Sequence, residues 1–174
     1  MSLLLFMLRV PPPTARRMSA LTGLLTRGYA LAGTPIPAQR LHVTLLSLGH
    51  HVDVPPALVE RARLAAATVA MPAFEVTFNR IEAWSGSQAL ALLGDDTAAQ
   101  VAVLRHALAA ALQRAGVPYA NALFNPHVSL MRGLALAEAQ TVETFSWTVQ
   151  DFALVNSLTG HGRYVQLGQW PLPA

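Results

Sequence analysis

Two short stretches of this chain repeat one another: Leu41-His42-Val43-Thr44-Leu45-Leu46 and Pro126-His127-Val128-Ser129-Leu130-Met131. Both contain H-V-[ST]-L, and the histidines are 85 positions apart, about half of a 174-residue chain. Both stretches are apolar and β-branched enough to read as strands, and in a strand residues i and i+2 share a face. His42 and Thr44 therefore point one way and Val43 and Leu45 the other; His127 and Ser129 share a face in the same manner. Two imidazoles with two hydroxyls suit in-line displacement at phosphorus. One histidine takes a proton from water while the other protonates the departing oxygen on the opposite side. The hydroxyls donate to the non-bridging oxygens. A hydroxyl nucleophile is the weaker reading, because a triad needs a third group to orient its base and no carboxylate flanks either copy. A metal cluster of His42 with His50, His51 and Asp53 is the main chemical rival. It suffers because adjacent residues of an extended segment point apart, and no H-E-x-x-H occurs.

The elements that must position these residues follow from pattern. Residues 2–9 read as a first, buried strand. The opening MSLLLFMLRV is no signal peptide on this reading: it lacks a basic start and is followed by Arg9 and prolines rather than a small-residue cleavage site. Prolines 11–13 start a helix that runs to about Leu31 and stops at Gly33. A loop (34–40) leads to the strand 41–48; 49–56 is a connector in which His50 and His51 are loop residues. A helix covers 57–70. Residues 73–84 alternate Phe74, Val76, Phe78 against Glu75, Thr77, Asn79, a half-buried strand, and 88–93 returns as its partner after the SGS turn. Asp95 and Asp96 cap a third helix with an apolar stripe at Val101, Leu104, Leu108 and Leu112; His106 lies on its outer face. Gly116 and Pro118 end it. The strand 126–131 is followed by a short helical or irregular piece (134–143), one long strand (145–158), a turn (159–162) containing His161, and a closing strand (163–170). The order βαβαββαβββ is an interleaved α+β pattern. No G-x-G-x-x-G follows a strand, which disfavours a doubly wound dinucleotide fold.

Composition narrows the chemistry. There is no cysteine, so disulfides, thiolate nucleophiles and cysteine-bound zinc are excluded. All 12 basic side chains are arginine, so Schiff-base and P-loop lysines are excluded too. The net charge of +3 permits a polyanionic ligand without requiring one, and arginine forks suit phosphate. Although 53% of residues are hydrophobic, no stretch reaches the ~20 apolar residues of a membrane span. A cytoplasmic location fits.

With these residues in place, the chain resembles the two-histidine (2H) phosphoesterase superfamily, and in particular its LigT-like members, the RNA 2′,3′-cyclic phosphodiesterases also called 2′-5′ RNA ligases. The resemblance rests on the paired H-x-[ST]-x motifs. It extends to RLHVTLLSLG, FNPHVSLMRG and the closing FALVNSLTGHGRYVQLGQWPL, and so spans essentially the whole chain. It implies one bilobal α+β domain over 1–174, with two pseudo-symmetric antiparallel-rich sheets flanking a central cleft and helices outside. It implies metal-independent hydrolysis of a 2′,3′-cyclic phosphate to a 2′-phosphate, with weak 2′-5′ ligation in some members and no cofactor. His42 would be the general acid, His127 the general base, and Thr44 and Ser129 the phosphate holders. Arg132 matches an arginine that contacts the phosphate. Its position is out of phase with 127 and 129, so it reaches the cleft only if the strand ends or bulges there.

The partner implied is an RNA 3′ end or small nucleotide bearing a 2′,3′-cyclic phosphate. A DNA duplex and a membrane are not expected, and a monomer is. Phe6, Trp84, Tyr119, Phe124 and Tyr164 are candidates for base stacking, each reading first as core. The competing functions are a non-catalytic binding module for nucleotides or RNA ends, a 2H enzyme acting on another cyclic or 2′-5′-linked nucleotide, and a metal-dependent hydrolase using His50 and His51.

Overall fold

A computed structural model describes residues 1–28, 33–94, 98–133, 139–158, 160 and 162–174. Its elements are β1 (Ser2–Arg9), α1 (Pro12–Gly28), β2 (Thr34–Pro35), a 3₁₀ turn (Ala38–Arg40), β3 (His42–His51), α2 (Pro56–Ala66), β4 (Phe74–Trp84), β5 (Ala89–Gly94), α3 (Ala98–Arg114), β6 (His127–Arg132), β7 (Gln140–Val149), β8 (Asp151–Leu158) and β9 (Arg163–Pro171). The expected end of α1 near Leu31, the caps Asp95 and Asp96, and His161 lie outside the described residues.

All strand pairs are antiparallel, in the order β7-β4-β5-β6-β3-β1-β8-β9, with β2 alongside β6. The ladder divides into two halves, β6-β5-β4-β7 and β3-β1-β8-β9. They meet at one residue pair, Val43 with Val128. Each half has the same kernel: a strand, a 17-residue helix, and a second strand antiparallel to the first. That second strand opens in each case on a histidine of the repeated motif. The two pseudo-symmetric antiparallel halves that were expected are thus present, as halves of one continuous sheet joined where the two motifs touch.

The core lies on the face opposite the histidines. Val43, Leu45, Val128 and Leu130 are buried in it with Phe6, Phe78, Phe145 and Phe152, each worth about 1.5–3 kcal/mol relative to exposure. The stripe Val101, Leu104, Leu108, Leu112 of α3 is fully buried. Among the described residues, no helix is long and apolar enough to cross a membrane.

Three expectations need correction. The single strand 145–158 is two strands in different halves: β7 pairs with β4, and β8 with β1. Membership of the main core records this, since Phe145, Trp147 and Val149 are followed there by Phe152 and Leu154, an odd-to-even slip across Gln150, while the equally buried Ala153 and Val155 belong to a second cluster. The piece 134–143 is not helical or irregular at its end, because β7 already begins at Gln140; residues 134–138 are outside the described set. His50 and His51 are not loop residues. They close β3, paired with Leu3 and Ser2, because β1 is long enough to extend the ladder past Gly49, which takes φ +95°.

Candidate active site

Continuing the Val43–Val128 register one residue each way sets His42 opposite Ser129 and Thr44 opposite His127. These four half-buried side chains form a two-by-two array on one face, with each imidazole beside the other motif's hydroxyl. The two histidines stand on the diagonal.

Each imidazole is held in the same way. His42 Nδ1 lies 2.7 Å from the Arg40 carbonyl and His127 Nδ1 2.9 Å from the Asn125 carbonyl, two residues upstream in both cases. A carbonyl oxygen only accepts, so Nδ1 carries the hydrogen and donates. The neutral ring therefore presents a bare Nε2 lone pair to the open face, and the charged ring presents Nε2–H. The backbone carbonyl orients each ring as a carboxylate orients the histidine of a triad. Each ring also meets an aromatic from its own half. Tyr164 packs edge-on to His42 at 5.6 Å with its hydroxyl 3.4 Å from Nδ1, and Trp84 lies 4.4 Å from His127.

Both motifs are followed by a β-bulge at the same place. In β6, Leu90 of β5 pairs with Met131 but Ala91 pairs with Ser129, leaving Leu130 extra. In β3, Phe6 of β1 pairs with Leu46 but Met7 pairs with Thr44, leaving Leu45 extra. The added residue inverts the strand phase. Leu130 and Met131 are both buried, and Arg132 comes out exposed on the face of His127 and Ser129. The parity problem at Arg132 is thereby resolved by a bulge. Ser47 is its counterpart in β3. The bulge carbonyls are satisfied: Ile36 N–H donates to Leu130 O at 2.9 Å, and Arg105 Nε to Leu45 O at 3.2 Å.

The two ends of the array differ electrically. Burial lowers the pKa of both histidines, opposed in each by the backbone hydrogen bond; at His42 the positive charges of His127, Arg40 and Arg132 lower it further. Arg40 was not among the sequence candidates. Its carbonyl orients His42, its guanidinium lies 5.0 Å over Tyr164, and its buried Nε has no hydrogen-bond partner among the described residues. Around His127 there is instead a cavity of about 210 Å³, lined by Thr44, Ser47, Trp84, Arg105, Phe124 and His127 among others. A separate cavity of about 580 Å³, between the start of α1 and the β7–β8 crossover, touches none of the four motif side chains. Of the stacking candidates, Phe6 is core, Trp84 and Phe124 line the smaller cavity, Tyr164 meets His42, and Tyr119 packs at the core's margin. His106 is exposed on α3. Among the described residues, no three His, Asp or Glu side chains converge as metal ligands; His51 Nε2 instead lies 3.1 Å from the Leu48 carbonyl.

The family model of the 2′-5′ RNA ligase superfamily matches residues 10–161 and so includes both motifs. The chain belongs to this superfamily. A curated relative, the RNA 2′,3′-cyclic phosphodiesterase of Escherichia coli K12, is 29% identical over 81% of each chain. The crystal structure of E. coli LigT complexed with 3′-AMP superposes with a TM-score of 0.83 at 25% identity, over 99% of both chains. TT0787 of Thermus thermophilus shares the fold, with a TM-score of 0.78 at 20% identity over 98% of this chain and 97% of that one. For a 2′-5′ RNA ligase superfamily member, the features that no residue type announces are the carbonyl-held imidazoles and the paired bulges. Arg40, two residues before His42, could have been flagged from the sequence, whereas Arg105 comes close to the motif residues only in space.

Proposed function

We propose that this chain opens 2′,3′-cyclic phosphates, on RNA 3′ ends or small nucleotides, to 2′-phosphates, with no metal taking part and with 1–174 acting as one bilobal domain. The observation that carries the reading is the pair of identically tethered imidazoles, each offering Nε2 across a strand pair with a hydroxyl beside it. The E. coli relative's name and the 3′-AMP in LigT support the substrate class. Water attacks phosphorus opposite O3′ and gives its proton to His127 Nε2. The P–O3′ bond breaks, and His42 Nε2–H protonates O3′. Thr44, Ser129 and Arg132 stabilise charge growing on the non-bridging oxygens. The products are a 2′-phosphate and a free 3′-hydroxyl. In the presence of EDTA, 2′,3′-cyclic AMP is expected to yield 2′-AMP, identified by phosphorus NMR. Loss of turnover on chelation, or a 3′-phosphate product, would sink the assignment.

The pH profile follows from the direction of the shifts. The productive state has one neutral and one protonated histidine, and both are held below the ordinary value near 6.5. The singly protonated pair peaks between its two apparent pKa values, so the bell of kcat/KM centres on the acid side of pH 6.5. Arg132→Ala removes a charge that depresses His42. The bell should then move to higher pH, while kcat/KM falls. A bell that stays in place would show that Arg132 does not act on His42.

A further inference from the structure

The larger cavity, of about 580 Å³, lies apart from the four motif side chains, and the proposed reaction makes no use of it. Its volume falls within the ~300–1,000 Å³ usual for sites that hold a small organic ligand. Its floor is apolar and buried, formed by Val10, Ala15, Leu41, Val149 and Trp147, whose ring is stacked on Phe78 with centroids 5.2 Å apart. Its rim is polar and exposed: Arg9 at the end of β1, Arg16 of α1, and the amides of Gln39, Gln150 and Gln169. The walls are fastened to one another. Val10 N–H donates to Leu41 O at 3.3 Å, Leu172 N–H to Gln150 O at 2.7 Å, and Gln169 Nε2 to Asp151 Oδ2 at 2.8 Å. Asp151 is the one carboxylate among the lining residues, and it is held by that amide rather than by a guanidinium. Among the described residues, Arg9 and Arg16 enter no ion pair, whereas the neighbouring Arg17 is paired with Glu143 at 2.7 Å.

Two guanidiniums without a carboxylate suit a ligand that brings its own negative charge, and the guanidinium fork matches phosphate. Inorganic phosphate alone would leave most of the volume and the apolar floor unfilled. The floor suits a flat ring, and the three amides, which both donate and accept, suit the polar edge of a heterocycle or the hydroxyls of a ribose. We propose that this cavity is a second ligand site, separate from the catalytic array, that takes a mononucleotide, with the phosphate on Arg9 and Arg16 and the nucleoside on the floor beside Trp147. The site stands on its own lining and does not depend on the reaction proposed above. It shares one wall with the array. Ala38, Gln39 and Leu41 line the cavity on either side of Arg40, whose carbonyl holds His42 Nδ1, and Arg9 pairs with His42 in the β1–β3 ladder. A nucleotide bound there rests against the turn that orients the His42 ring, while the ring itself lies outside the cavity.

The test is a titration of the full-length, ¹⁵N-labelled protein with 5′-AMP, read residue by residue by NMR. The amides of Thr44 and Ser129 report the array; the amides of Gln39 and Gln150 and the Trp147 indole N–H report the cavity. The two sets should follow two separate binding curves. Arg16→Glu reverses a rim charge at an exposed helix position, and Thr148→Trp fills the cavity from an exposed strand position. Each should weaken the cavity's curve at least roughly tenfold, leaving the array's curve and the turnover of 2′,3′-cyclic AMP unchanged. Adenosine and inorganic phosphate, titrated separately, should each bind the cavity more weakly than 5′-AMP. Cavity signals that do not move, that trace the array's curve, or that respond to 5′-AMP equally in Arg16→Glu would overturn the inference. Adenosine binding as tightly as 5′-AMP would remove the phosphate from the site, and inorganic phosphate binding as tightly would remove the nucleoside; either result overturns the mononucleotide assignment.

Discussion

His42→Ala and His127→Ala are each expected to lower turnover of 2′,3′-cyclic AMP by about 10²–10⁴-fold, and the double variant by far less than the product of the two. On the proposed mechanism acid and base act in one transition state, so once either is lost much of what the other contributed is already gone. Neither substitution should cost much stability. Both rings are half-buried on the face away from the main core, and among the described residues each is held by its own upstream backbone and meets one aromatic neighbour. The melting temperature should therefore move by no more than a few degrees, which separates a chemical defect from unfolding. The pH profiles distinguish the roles. Without the acid, His42→Ala should lose the alkaline limb; without the base, His127→Ala should lose the acid limb. A fully active single variant would remove the two-histidine mechanism, and reversed limbs would exchange the roles.

How much of this was legible in the sequence depends on how local each signal is. The tetrads were legible because a strand's period of two fixes, from four residues, which side chains share a face. The β7–β8 break was written in the phase of the core-facing residues around Gln150, but a run of alternating apolar residues conceals a one-residue slip when both sides of it are hydrophobic. The bulges lie in the doublets Leu45-Leu46 and Leu130-Met131, where alternation visibly fails; whether such a doublet is a bulge or a strand end is decided by the partner strand. The tethering of the imidazoles was not legible, because the acceptors are backbone carbonyls and every residue has one. The cavity was least legible of all. It is assembled from β3, β4, α3 and the segment before β6, and only tertiary packing brings Arg105 to Leu45 or Trp84 to His127.

Thr44→Val and Ser129→Ala are expected to reduce kcat by about 10²–10³-fold each, the usual loss of one donor to a developing oxyanion, with a much smaller change in KM. The register explains the split. Thr44 sits opposite His127 and Ser129 opposite His42, so each hydroxyl lies between the two imidazoles, beside the place where the phosphorus must stand for in-line transfer. On the proposed mechanism a donor there meets the non-bridging oxygens as they gain charge, and contributes more in the transition state than in the ground state. Valine at position 44 keeps the β-branched shape that β3 accepts, so the loss isolates the hydroxyl; Thr44→Ser, which restores the donor, should recover most of the rate. At position 129 the converse variant, Ser129→Thr, turns the second motif into H-V-T-L and should remain active. If Thr44→Val instead raised KM and spared kcat, the hydroxyl would be binding substrate and transition state alike, and the array would be a grip on the phosphate rather than part of the chemistry.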